Sequence, residues 1–427
     1  MSHQASNRPD GAIRPAHGWL QALGAVLAGL VTMIVTAALG LWAAGAADLP
    51  EGGFLPVVAA VVVMAVFGSV EVAGDAGAIV ETSAGLTVLP LSVTLVGALT
   101  IAAGFLRPLR HRAVASAGEL AGWAARLAVL WVLALVGLAA LARHTFTIPV
   151  EDPTGGLIED LLDVTPRVGF RTDLPLTVLF GLLWLAAVLA LAVLVSRGAP
   201  LPARLLRFQE SVRPAAFAMV TLLLTCVAIG AVIGLVVAAT RERTAETFAV
   251  LLLGLPNLVW LALTLGLGAT WDGKVEGPFG LPVPRILDEV LRTGDMATLN
   301  LSTLAERDGR AWWLLPVAAV LLSAAAFLMA VRSPARVRPW QHALHMAVAL
   351  VLTVLTICLL VRFFAHYSLS LLGIGDLGGD LAGEVALRPH LWTALGLAAA
   401  WGLVTGFLGG LLASRVRRRG EVAAPRQ

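Results

Sequence analysis

Ten apolar runs of spanning length divide the chain, at about 19–47, 54–73, 86–106, 120–142, 175–195, 215–240, 247–271, 311–331, 341–364 and 391–413. A helix needs roughly 20 apolar residues to cross about 30 Å of hydrocarbon, and each run comes close to that length. Lipid is therefore the solvent for most of this chain. Composition agrees: of 427 residues 58% are hydrophobic and 13% charged, with a mean hydropathy of +0.87, whereas soluble domains carry about 25% charged residues. The first run, Trp19 to Ala47, is too long for a signal-peptide core and reads as a retained span.

Charge sorts the connections. Arg107, Arg110 and Arg112 share one loop; Arg197, Arg204, Arg207 and Arg213 fill another; Arg332, Arg336 and Arg338 a third. Arg415, Arg417, Arg418 and Arg419 follow the last run, and Arg8 and Arg14 precede the first. The positive-inside rule turns all of these towards the cytoplasm. Residues 143–174, 272–310 and 365–390 are acidic instead and are expected outside. Ten full crossings do not satisfy that assignment. It is satisfied if 54–73 and 247–271, which carry Leu55-Pro56 and Leu255-Pro256, enter and return, since proline interrupts helical hydrogen bonding. The expectation is an all-α polytopic bundle of eight spans plus two re-entrant or short segments, with ten spans as the alternative. Both termini then face the cytoplasm of a bacterial cytoplasmic membrane.

The prolines belong to a longer internal match. Arg14-Pro15-Ala16 is answered by Arg213-Pro214-Ala215, Val168-Gly-Phe-Arg171 by Val385-Ala-Leu-Arg388, and Ser196-Arg197 by Ser414-Arg415. Arg143 closes the fourth run and Arg362 the ninth. Two tandem repeats of about five apolar segments follow, at 14–212 and 213–415, between a cytoplasmic tail at 1–13 and a basic tail at 416–427. With eight spans both repeats begin and end inside, so they are parallel about an axis along the membrane normal.

In the second repeat Leu255-Pro-Asn257-Leu-Val-Trp260 precedes Trp271-Asp272-Gly273, then Leu287-Asp-Glu-Val-Leu291 and Leu304-Ala-Glu-Arg-Asp-Gly-Arg-Ala-Trp312. This order resembles the streptophobe family of very hydrophobic actinobacterial membrane proteins, over nearly the whole chain. The resemblance implies a membrane location and brings no activity or catalytic residues with it.

The chemistry-bearing patterns are few. No phosphate-cradling glycine loop ends in Lys-Ser/Thr, and no His-Glu-x-x-His, Cys-x-x-Cys or Gly-x-Ser-x-Gly occurs. No catalytic residue, cofactor or metal is expected, and Cys226 and Cys358 lie in mid-run as small core residues. The net charge of +3 sits at run ends, where it orients spans, so nucleic acid is not expected. Glu71, Asp75, Glu81, Asp272 and Glu276 border the doubtful runs. They either line vestibules for a cation or sit in water at the outer surface. Arg143 with His144, and Arg362 with His366, either hold an anion or lipid headgroup or snorkel to the interface.

Pro56, Pro256 and Asn257 mark candidate helix breaks, where Asn257 either coordinates an ion or caps the second half-helix. Gly230 and Gly234, and Gly402, Gly406 and Gly410, let helices approach closely, within the chain or across a homo-oligomer. Residues 157–164 and 285–292 place apolar side chains on one face and read as short surface helices.

Two functions follow. One is a non-enzymatic envelope protein that binds lipid or an envelope partner through its outer loops. The other is a transporter or channel using the interface between the repeats. A dry interface favours the first and a continuous polar cavity the second.

Overall fold

The computed structural model describes residues 15–75, 80–111, 117–147, 167–196, 203–240, 244–275, 291, 296–334, 336–371 and 383–415. The N-terminal half carries α1 (Pro15–Ala43), α2 (Phe54–Ala65), strands β1 (Val70–Asp75) and β2 (Val80–Thr87), α3 (Leu91–Leu106), α4 (Ala117–Leu141), β3 (His144–Thr147), β4 (Arg167–Thr172) and α5 (Leu174–Val195). The C-terminal half carries α6 (Ala203–Thr240), α7 (Thr244–Gly266), β5 (Trp271–Val275), β6 (Ala297–Leu299), the short α8 (Leu301–Arg307), α9 (Leu314–Arg332), α10 (Pro339–Val361), β7 (Phe363–Leu371), β8 (Gly383–Pro389) and α11 (Leu391–Ser414).

Among the described residues eight helices are long and apolar enough to cross a membrane: α1, α4, α5, α6, α7, α9, α10 and α11. The chain is a mostly helical, multi-pass membrane protein. This eight differs from the one expected, because it includes α7 and leaves out α3, which has 16 residues. The boundary at 212/213 falls inside α6, which runs unbroken from Ala203. The 157–164 stretch lies outside the described residues, as does 285–292 apart from Leu291.

An eight-stranded antiparallel sheet was not foreseen. Its order is β3-β4-β1-β2-β7-β8-β5-β6, so β2 and β7 join the halves over eight residue pairs, from Val80↔Leu371 to Thr87↔Phe364. The same register appears in each half. Glu71 faces Arg171 and Asp272 faces Arg388; His144 faces Phe170 and Phe363 faces Leu387. Alternation puts Trp271, Gly273 and Val275 on one, buried face of β5 and Asp272 and Lys274 on the other.

The entries into the sheet also match. α2 ends in a left-handed turn at Phe67 (φ 66°), with Gly68 N donating to Val63 O at 2.9 Å and Phe67 N to Met64 O at 3.0 Å. α7 ends the same way at Gly268 (φ 91°), through Ala269 N to Thr264 O at 3.0 Å and Gly268 N to Leu265 O at 2.9 Å. Paired bonds of this kind satisfy carbonyls that a helix end leaves open. Each turn delivers the chain to its strand three residues later.

Tryptophan and glycine hold the bundle together. Trp131 donates to Gly181 O at 3.1 Å and stacks on Trp184. Trp260 donates from α7 to Leu223 O of α6 at 3.3 Å. Buried Trp271 donates to Thr264 Oγ1 at 3.1 Å, which ties β5 to the end of α7.

Candidate functional site

The seam between the halves has a helical part and a strand part. In the helical part α7 lies against α1 and α3. Leu252 and Leu253 pack directly over Gly40 of α1, where a side chain would collide. Pro256 lies inside α7, and the helix continues through it instead of breaking. A proline lacks the N–H that would bond back along the helix, and local regrouping of bonds is the usual consequence. Here Ser92 regroups them: its hydroxyl donates to Leu251 O at 2.9 Å and accepts from Leu255 N at 3.1 Å, between two groups that helix geometry pairs.

Asn257 completes the clasp. Its Nδ2 donates to Leu89 O at 3.0 Å, and its Oδ1 accepts from Leu91 N at 3.3 Å. The carboxamide therefore satisfies the start of α3, a different helix, and not a second half of its own. The sequence missed this because the partners are 166 and 168 residues away. Ser92 gave no sequence signal beyond Leu89-Pro90 beside it. The other candidate break, Pro56, sits in the first turn of α2, where proline costs nothing in bonding.

The strand part collects the acidic candidates. Glu71 accepts from Arg171 Nε at 3.2 Å across the β1–β4 pair, with both side chains largely exposed. Asp272 Oδ2 lies 2.7 Å from His390 Nε2 and faces Arg388, whose guanidinium stands 5.6 Å from the Phe364 ring. Asp75 is opposite Arg167 on one side and Glu81 on the other, and Glu81 is opposite Ser370. Glu276 lies outside the described residues. Glu71 and Asp272 are four strand spacings apart, about 19 Å. Glu71, Asp75 and Glu81 thus share the adjacent strands β1 and β2, and Asp272 stands apart from them.

The arginine–histidine pairs are likewise separated, one ahead of β3 and the other at β7. Arg143 and Arg362 are exposed. His144 packs edge-on to Phe146 at 4.6 Å, and its Nε2 is buried without a hydrogen-bond partner among the described residues. His366 faces Glu384 on β8 and Gly85 on β2.

The glycines meet helices of the same chain. A methyl at Gly402 would lie 2.5 Å from Ala347 Cα of α10, and at Gly406 2.7 Å from His342 O. Gly410 backs onto Pro339 and His342, while Gly230 and Gly234 back onto Val259 and Leu251 of α7. Among the described residues no group of three or more His, Cys, Asp or Glu is arranged to hold a metal ion.

No family model matches the chain, and no curated protein or solved structure matches it.

Proposed function

We propose that the chain is a non-enzymatic envelope protein of the bacterial cytoplasmic membrane, and that the eight-stranded sheet is its working surface. One observation carries the reading: strands from both halves join in a single sheet, in which Glu71, Asp272 and Glu81 face Arg171, Arg388 and Ser370 in register and Asp75 stands between Arg167 and Glu81. At the same time the polar groups of the helical seam, Ser92 and Asn257, are spent on backbone. A conduction path needs polar groups free to exchange partners with a moving solute. A docking surface needs only a fixed platform.

The chain is read as two tandem parallel repeats. The matching strand order, the shared registers and the twin left-handed turns at Phe67 and Gly268 support duplication. α2 and α7 are read as dips from the sheet side. Gly53, before α2, packs on Phe146 of β3, and Gly68, after it, approaches Thr177 in the first turn of α5. Leu267 at the end of α7 accepts from Trp401, ten residues into α11, and the chain regains the sheet at Trp271. Eight crossings then remain, α3 among them, with the acidic sheet side outside and both termini in the cytoplasm. The streptophobe resemblance fits this placement.

Sidedness and flux test the reading together. With Cys226 and Cys358 changed to Ala, Thr298→Cys and Ser302→Cys should react with an impermeant maleimide on intact cells, and Arg336→Cys only after lysis. Purified protein in liposomes should pass protons and potassium no faster than empty vesicles. Flux above that level would make the chain a transporter, and labelling from the cytoplasmic side would invert the topology.

A further inference from the structure

The two halves meet through unlike surfaces. β2 of the first pairs with β7 of the second, α1 and α3 pack on α7, and α5 packs on α6. Under the repeat, β6 corresponds to β2 and β3 to β7. The equivalent second seam would therefore put β6 on β3 and α2 on α6 and α9. Among the described residues neither contact is made: β3 pairs only with β4, β6 only with β5, and α2 makes no comparable contact with α6 or α9. A head-to-tail interface of this kind either closes on itself or propagates to another copy. Within one chain it does not close.

We propose that a second copy of this chain closes it, β6 of each copy adding to β3 of the other, in a two-fold dimer of four halves. The inference rests on the repeat reading above. The internal seam fixes the register to be expected. Ala84 faces Val72 as Ala297 faces Gly273, and Phe363 faces Leu387 as His144 faces Phe170. The pair Gly85↔His366 of the internal seam then becomes Thr298↔Thr147 between copies. Strand directions agree, since β6 and β3 run antiparallel in the sheet's alternation, as β2 and β7 do. The helical part of the new seam differs, because Val57 stands where the internal seam has Asn257. No polar clasp forms there, and the strands and apolar helix faces carry the contact.

Crosslinking decides this. Two differently tagged chains lacking native cysteines are co-expressed, one with Thr298→Cys and one with Thr147→Cys, and the membranes are mildly oxidised. The expected product is a disulfide-linked heterodimer, absent when either substitution is omitted. The internal reference is Ser83→Cys with Ser368→Cys, a facing pair at the seam already closed, which should bridge within one chain. If the reference bridges and the heterodimer does not form, dimerisation through these edges is wrong while the sheet stands. If one chain carrying both Thr298→Cys and Thr147→Cys closes only on itself, the second copy is likewise excluded. If the reference pair itself fails to bridge, the sheet reading falls and the dimer with it.

Discussion

Replacing Gly402 by alanine should separate packing from backbone effects within a single helix. The added methyl would meet Ala347 Cα at 2.5 Å, Ala347 N at 2.8 Å and Met346 O at 3.0 Å. Carbon atoms pack at about 3.5–4.0 Å, so α10 and α11 must part by roughly 1 Å. The obstacle is backbone, which no rotamer change relieves. One turn on, Gly406 leaves only 2.6 Å to Met346 Cβ, so the parting must spread along the seam. Overpacking of this kind costs about 1–3 kcal/mol. Gly396→Ala on the same helix meets nothing within 4 Å and should gain about 0.5–1 kcal/mol from lost backbone freedom in the unfolded chain. The backbone gain is common to both positions, so the two substitutions should differ by the packing cost alone, about 1–3 kcal/mol, in unfolding from detergent micelles, followed by the fluorescence of neighbouring Trp401. Equal stabilities within about 0.5 kcal/mol would falsify the close approach of α10 and α11.

Other substitutions probe the seam and the sheet. Asn257→Val should destabilise by about 1–2 kcal/mol, the scale of two membrane hydrogen bonds, and a double-mutant cycle with Ser92→Ala should show coupling through the shared contact of α7 with the start of α3; additivity would count against one clasp. Gly268→Ala should cost about 1–2 kcal/mol from its left-handed backbone alone, since its methyl meets only Leu397 Cδ1 at 3.8 Å; an unchanged melting curve would remove that turn. Glu71→Gln should change stability by less than about 0.5 kcal/mol, as exposed ion pairs do, and a larger loss would mean that Arg171 and Glu71 are held more tightly than their exposure implies.

The helices were legible because a run of twenty apolar residues has few other uses. Arg171 and Arg388 were legible as repeat partners, and they face Glu71 and Asp272 in the same register. The sheet was not legible. Its strands have three to nine residues and adjoin helices, so a window of spanning length merges them: Leu86 was read into the third run and Phe363 into the ninth. Their partners are also distant, as Gly85 and His366 illustrate. Asn257 stood out beside Pro256, but its role depends on Leu89 and Leu91, which spacing along α7 does not reveal. The paired alternation in Val70-Glu71-Val72 and His366-Tyr367-Ser368 was the signal available, and it is weak at such lengths.

The β2–β7 join has a consequence for how the protein is made. β2 ends at Thr87 and its partner strand begins only at Phe363. At about 5–20 residues per second, roughly 15–55 s of translation separate the two. Throughout that interval one side of β2 has no neighbour from its own chain, while α3 to α10 are synthesised behind it. A ribosome stalled before α10 would leave a strand edge open to whatever extended segment is nearby. Quality control of this protein should therefore read the unfinished sheet, and chains truncated between α6 and α10 should be cleared fastest.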